Sequence, residues 1–155
     1  MKRILTGGLL ALSVFTSSAV ADDSAWAPTV FNLDNGMEVV VVPDHRAPVV
    51  THMVWYKVGA VDEAEGKSGI AHLFEHVMFK ETDDLAPGEF DNIVSRNGGV
   101  SNAFTSWDYT AYYERVAKDQ LGTMMGLEAE RMTDLIINDD PNGPFISERD
   151  VVKEE

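Results

Sequence analysis

Two histidines and a glutamate lie close together in the segment "SGIAHLFEHVMFK", residues 68–80. His72 and His76 are four residues apart, and Glu75 lies between them. On an α-helix, side chains at positions i and i+4 share one face and lie about 6 Å apart. Both imidazoles could therefore reach a single metal ion. Glu75 would project beside them, close enough to take a proton from a water at that ion.

The order His-x-x-Glu-His is the inverted form of the His-Glu-x-x-His motif, in which a helix binds zinc. Zinc binds imidazole nitrogen and lowers the pKa of a bound water, so the glutamate can serve as general base. The alternative is an ordinary amphipathic helix that carries two histidines by chance. His45, in a loop, and His52, in a strand, are interpreted as satisfied or exposed side chains. Because the chain has no cysteine, any metal site must use His, Asp or Glu.

The patterns around this motif predict an α+β fold, with helices packed on one face of a mostly antiparallel sheet. Alternating and β-branched residues predict strands, whereas apolar residues at helical spacing predict helices. The expected strands cover 29–33, 37–42, 48–59 and both sides of a turn near 106–108 within 100–116. The expected helices cover 70–80, 85–99 and 118–137, and another begins at Phe145. The pair Met124 and Met125 is expected to fill the core.

The first 21 residues have the order of a secretory signal peptide. "MKR" is a basic start, residues 4–15 are apolar, and Ala19 and Ala21 form an Ala-x-Ala cleavage signal. A membrane anchor is the alternative, but the apolar run is shorter than the roughly 20 residues that a spanning helix needs. The sequence therefore predicts a signal peptide over residues 1–21 and an exported, periplasmic or secreted product over 22–155, with no membrane segment after cleavage.

The chain is strongly acidic, with 26 Asp and Glu against 12 Lys and Arg and a formal net charge of −14. Binding to nucleic-acid phosphates requires a basic surface. The charge therefore argues against a nucleic-acid partner. Most of the acidic residues are interpreted as a solvated surface, which would also attract basic ligands or peptides.

Four segments occur in an order that resembles a known family: "GIAHLFEHVMFK", "GGVSNAFTSWDYTAYYERV", "LEAERMTDLII" and "ISERDVVKEE". Together they are similar to the pitrilysin, insulin-degrading enzyme and mitochondrial processing peptidase family, in its bacterial exported branch. The resemblance covers about residues 29–155. It implies part of a metallopeptidase half-domain and a zinc-dependent endopeptidase that hydrolyses peptides or unfolded polypeptide, with Zn2+ as cofactor.

The resemblance also implies roles for individual residues in the motif and near the end of the chain. His72 and His76 resemble two zinc ligands, and Glu75 resembles the general base that activates water. The third ligand of the family closes a Glu-x-x-x-x-x-x-Glu pattern, which begins here at Glu148 and ends at Glu155. Glu148 resembles an acid that supports the ligands from behind. Glu154 is the competitor for the ligand position, but one helical residue rotates a side chain by about 100°.

Asn102 and Ala103 lie in "SNAFTS", which in the family is an edge strand that pairs with extended substrate. Family enzymes enclose substrate between two or more related domains, and the distal half supplies further binding groups. The sequence is therefore interpreted as the N-terminal part of a zinc peptidase that needs a complementary domain, in the same longer chain or in a second subunit. Such a fragment is expected to bind zinc weakly and to cleave little by itself.

Two other functions remain open at the level of the sequence. A non-catalytic subunit of the same fold would bind substrate or a partner chain, although the intact His72, Glu75 and His76 argue against it. A purely structural zinc site is the second alternative. Such sites usually have four protein ligands and are rich in cysteine, which this chain lacks.

Overall fold

The computed structural model describes residues 27–155. The predicted signal peptide, residues 1–21, lies outside this described part of the chain. The described residues belong to two compact units, which divide between Arg46 and Ala47. The first holds a β-hairpin and the second holds the other elements.

The hairpin follows from the turn residues that separate two β-branched segments. β1 (Thr29–Asn32) pairs with β2 (Glu38–Val41) in antiparallel register. Gly36 has φ +88°, a conformation that glycine adopts without the steric cost of a Cβ. The amide of Leu33 donates to the carbonyl of Met37 at 2.9 Å. The predicted hairpin is therefore confirmed, with strand ends one residue shorter.

The second unit is built on a three-stranded antiparallel sheet. Its strands are β3 (Val49–Tyr56), β4 (Val100–Thr105) and β5 (Thr110–Ala117), in the order β3-β5-β4. The turn between β4 and β5 is closed by the Ser106 amide, which donates to the Tyr109 carbonyl at 2.8 Å. This turn lies where the sequence predicts it.

Four helices accompany the sheet: α1 (Ile70–Val77), α2 (Glu89–Arg96), α3 (Leu121–Thr133) and α4 (Pro144–Glu154). The prediction of one helix over 118–137 is too long at both ends. Residues 118–120 form a 3-10 turn. After Thr133 the chain becomes extended, and Leu135 forms an isolated bridge with Thr82. Within residues 27–155, no helix has the length and apolar character to cross a bilayer.

The core lies between the helices and one face of the sheet, which confirms the predicted fold class. Because side chains alternate along a strand, even-numbered residues of β3 and β5 face the helices. On the opposite face, Met53 and Trp55 are exposed. The buried apolar cluster contains Leu85, Phe90, Val94, Val116, Met124 and Leu127. Met124 is fully buried, but Met125 is 53% exposed, so the prediction that both methionines fill the core is wrong for Met125.

Three charged side chains are buried beside this core. Arg131 and Glu128 of α3 and Glu114 of β5 are each at most 1% exposed. The guanidinium of Arg131 donates to both carboxylates. It also lies 4.4–5.1 Å from the ring centroids of Phe79, Phe90 and Tyr112. The buried face of α3 is therefore partly ionic, which an apolar periodicity cannot reveal.

The two buried carboxyls differ in their affinity for a proton. Burial, together with a hydrogen bond to Glu114, raises the pKa of Glu128 to about 8. Burial opposes ionisation of Glu114 as well. Hydrogen bonds to His52 and Glu128 and the charge of Arg131 outweigh it, and they hold the pKa of Glu114 below its usual value. At neutral pH the pair therefore shares one proton, and Arg131 faces one net negative charge.

Candidate metal centre

Helix α1 carries the His72, Glu75 and His76 side chains, and an acid earlier in the chain fixes its N-terminus. Gly69 precedes the helix with φ +92° and has no side chain to cap it. Instead the Glu63 carboxylate accepts hydrogen bonds from the amides of Gly69 at 3.0 Å and Ala71 at 2.8 Å. The bond from Ala71, with that from Gly69, holds the pKa of Glu63 below its usual value. This carboxylate satisfies amides that lack intrahelical partners.

Three potential ligand atoms converge where α4 packs beside α1. The Nε2 atoms of His72 and His76 are 3.1 Å apart. The Oε2 atom of Glu155 lies 3.4 Å from Nε2 of His72 and 3.5 Å from Nε2 of His76. In a tetrahedral site with zinc–ligand bonds of about 2.0–2.1 Å, neighbouring ligand atoms are about 3.3–3.4 Å apart. The donor types and their spacing therefore fit zinc.

Of the two acids at the end of α4, Glu155 rather than Glu154 belongs to this group in the described part of the chain. Glu148 and Glu155 are seven residues apart, close to two helical turns, so both lie on the side of α4 that faces α1. Glu155 is 49% exposed in its side chain, and His76 is 21% exposed. The group therefore opens to solvent on the Glu155 side.

Glu148 contacts the group from behind. Its Oε1 lies 2.8 Å from Nδ1 of His76, and its Oε2 lies 2.7 Å from Nζ of Lys80. Burial would raise the pKa of Glu148, but the hydrogen bonds from Lys80 and His76 outweigh it, and the pKa lies below its usual value. An ionised Glu148 accepts the Nδ1 proton of His76, which leaves the Nε2 lone pair free to bind a metal.

Glu75 projects from the same helix towards the sheet. Thr105, the last residue of β4, donates a hydrogen bond from Oγ1 to Oε2 of Glu75 at 2.5 Å. Glu75 is absent from the group of three convergent ligand atoms. It lies on α1 between the two histidines of that group in sequence, and the role of base remains a prediction.

Asn102 and Ala103 lie on β4, which is an edge strand. β4 pairs with β5 on one side, and it has no partner on the other side among residues 27–155. Asn102 is exposed and Ala103 is half-buried. The Ala103 amide donates to Oδ1 of Asn102 at 2.9 Å. Thr105 follows Ala103 at the strand period of two, so the edge and the Glu75 contact belong to one short strand.

A second set of convergent ligand types is His52, Glu114 and Glu128. His52 Nδ1 lies 3.2 Å from Oε2 of Glu114, so the interpretation of His52 as a satisfied side chain agrees with its contact. Arg131 already donates to both carboxylates. Its fixed positive charge occupies the place of a cation, and this set is therefore an ion-pair cluster.

Two contacts of the site were not predicted from the sequence. Thr105 reaches Glu75 across thirty residues of sequence, and nothing in the pattern of β4 distinguishes it from other strand threonines. Lys80 lies three residues beyond the end of α1, so the predicted helix over 70–80 is too long, but a spacing of four residues from His76 is one that brings side chains together on a helix. That spacing could have indicated Lys80 as a partner for an acid near His76.

Comparisons with known proteins agree with this architecture. The model of the family described as Insulinase (Peptidase family M16) matches residues 38–143. The "Zinc protease PqqE" of Helicobacter pylori is 42% identical over 158 aligned positions, which cover 100% of this chain and 34% of that protein. A crystal structure of a protease from Helicobacter pylori superposes with a TM-score of 0.78 and 45% identity, covering 83% of this chain and 30% of the other.

A second solved structure, the first half of the periplasmic protease PqqL from Escherichia coli, shares the fold with a TM-score of 0.65. It is 24% identical and covers 70% of this chain and 25% of that one. The α+β fold is thus that of peptidase half-domains. The chain belongs to the insulinase family, peptidase family M16. It spans about a third of the length of the curated relative from Helicobacter pylori.

Proposed function

We propose that this chain is the metal-binding part of a zinc-dependent endopeptidase that cleaves peptides or unfolded polypeptide. The observation that carries the proposal is the convergence of His72 Nε2, His76 Nε2 and Glu155 Oε2 at 3.1–3.5 Å from one another. Two imidazoles and one carboxylate match the three protein ligands of catalytic zinc sites, which keep a fourth position open. The zinc protease from Helicobacter pylori supports the same metal and reaction.

His72, His76 and Glu155 would hold the zinc ion, which would supply polarisation of the scissile carbonyl and a lowered pKa for the attacking water. Glu75 accepts the proton of that water and later passes a proton to the leaving amine. Glu148 orients His76 through its contact with Nδ1. Lys80 in turn holds Glu148 ionised. In this account Glu75 is the catalytic residue, and Glu148 and Lys80 orient a ligand.

The edge of β4 is proposed to hold the substrate as an added strand. Backbone hydrogen bonds at Asn102 and Ala103 would bind an extended peptide of any sequence, while pockets for side chains would select among peptides. The same strand ends at Thr105, which contacts Glu75. A peptide paired along β4 would therefore lie next to the base.

A complementary peptidase domain is proposed to close over this edge, since the chain spans only 34% of the relative from Helicobacter pylori. Export is proposed from the N-terminal pattern that ends at Ala21. The protease PqqL, which shares the fold, is periplasmic. The complementary domain and the export are both proposed for the complete gene product.

The test of the proposed function is metal-dependent hydrolysis by the complete product of the gene that encodes this chain. An unstructured, internally quenched peptide should be cleaved, cleavage should stop with 1,10-phenanthroline, and stoichiometric zinc should restore it. The non-chelating isomer 1,7-phenanthroline is the matched control and should have no effect. Cleavage that persists after zinc is removed, or a zinc-loaded protein without cleavage, would contradict the proposal.

A further inference from the structure

A threonine of the sheet forms the only side-chain hydrogen bond recorded for Glu75 among the described residues. Thr105 Oγ1 donates to Glu75 Oε2 at 2.5 Å. Hydrogen bonds from a hydroxyl to a carboxylate are short and roughly twice as strong as neutral ones. Both side chains are half-buried, so the bond is partly protected from water. It joins α1 to the end of β4.

The direction of this hydrogen bond follows from the carboxylate, which only accepts when it is ionised, and the next hydroxyl along the sheet has another acceptor. Thr110 of β5 is opposite Thr105 in the register, and the two Oγ1 atoms are 3.4 Å apart. Thr110 is buried and donates its proton to the carbonyl of Val58 at 3.0 Å. A hydroxyl has a single proton to donate. Thr110 therefore has no proton left for Thr105, and the Thr105 hydroxyl donates to Glu75, the much nearer acceptor.

We propose that Thr105 is a positioning residue for the general base, and this inference rests on the proposed function. Its bond occupies Oε2 of Glu75 and leaves Oε1 as the oxygen that takes the proton from water. Thr105 also ends the strand whose edge is proposed to hold the substrate. The hydroxyl thus fixes the base relative to the bound peptide, and its hydrogen-bond contacts are with Glu75 and Thr110 rather than with His72, His76 or Glu155.

The test compares Thr105→Val with Thr105→Ser in the complete gene product. Valine keeps the branched shape and removes the hydroxyl, whereas serine restores the donor. Because a misplaced catalytic group can cost roughly ten- to hundredfold in rate, Thr105→Val should lower kcat by that factor. KM, zinc content and the thermal midpoint should stay near those of the wild type. Thr105→Ser should recover most of kcat.

A kcat for Thr105→Val equal to that of the wild type would overturn the assignment. So would equal losses in both variants, because they would point to packing rather than to the hydroxyl. If the wild-type protein showed no zinc-dependent cleavage, the proposed function would be refuted instead. The contact is then tested by a measurement that needs neither metal nor turnover.

That measurement is the ¹³C resonance of the Glu75 side-chain carboxyl in the metal-free, complete gene product, assigned by its loss in Glu75→Gln. Thr105→Val should shift the resonance, and Thr105→Ser should return it towards the wild-type position. An unchanged resonance in Thr105→Val would show that the hydroxyl does not hold the carboxylate, and the inference would fail whatever the activity.

Discussion

Replacing Glu75 with glutamine should lower kcat of the complete gene product by roughly 10²–10⁴-fold, the usual contribution of a general base. Glutamine has the same shape and can still accept the Thr105 hydrogen bond through its carbonyl oxygen. It cannot take a proton from water at neutral pH. The metal ligands are unchanged, so the variant should retain its zinc. Steady-state hydrolysis of a quenched peptide and metal analysis of the same sample measure the two quantities.

The matched control is Glu65→Gln, an exposed acid in the loop before α1. It makes the same chemical change outside the site and should leave kcat and zinc content unaltered. Equal activity in Glu75→Gln and the wild type would contradict a catalytic role for Glu75, whereas no hydrolysis in either protein would favour a non-catalytic binding subunit. Loss of zinc together with activity would instead identify Glu75 as a ligand.

Replacing Arg131 with methionine should destabilise the fold by about 3–5 kcal/mol, the usual result of removing one partner of a buried ion pair. Methionine fills much of the volume among Phe79, Phe90 and Tyr112. It leaves Glu114 and Glu128 buried without their counter-charge. A loss of this size is a large fraction of the stability of a small domain. Urea unfolding, followed by tryptophan fluorescence, measures it.

Arg96→Met is the matched control for this experiment, because Arg96 lies exposed at the end of α2. Substitutions at such positions usually change stability by no more than about 0.5 kcal/mol. If Arg131→Met were as stable as Arg96→Met, the buried cluster would contribute nothing to folding. The double variant Glu114→Gln/Arg131→Met should recover part of the lost stability, since it removes the carboxyl whose pKa is lowered and which carries the negative charge of the pair.

Helices, strands and turns were predictable where residues close in sequence determine them. Apolar spacing indicated α1. Asn35 and Gly36 indicated the hairpin turn, and the glycines at 98–99 marked the end of α2. The end of α3 was not predictable, because Leu135 leaves the helix to pair with Thr82. The buried face of α3 was not predictable either, because charged residues such as Glu128 and Arg131 normally face solvent. The charge of Arg131 is compensated in the interior by partners on other elements.

The candidate site divides in the same way between local and distant contacts. The convergence of His72 and His76 was predicted from their spacing, since a helix brings positions i and i+4 together. Glu148 and Glu155 were assigned by resemblance, because the packing of α4 on α1 cannot be read from either segment alone. The contact of Thr105 with Glu75 was not predicted, since it joins a strand end to a helix. The candidate ligands that come from other elements than the motif helix are therefore the part of the site that is hardest to predict from the sequence.

The zinc K-edge X-ray absorption spectrum of the protein reconstituted with one equivalent of zinc is the direct test of the proposed metal site. A site formed by His72, His76 and Glu155 should give two imidazole ligands and oxygen donors, with bond lengths of about 2.0–2.1 Å. His72→Ala and His76→Ala should each remove one imidazole from the fit or abolish stoichiometric binding, whereas His45→Ala should change neither. A spectrum without imidazole, or one that stays the same in His72→Ala and His76→Ala, would contradict the assignment of this group as the zinc site.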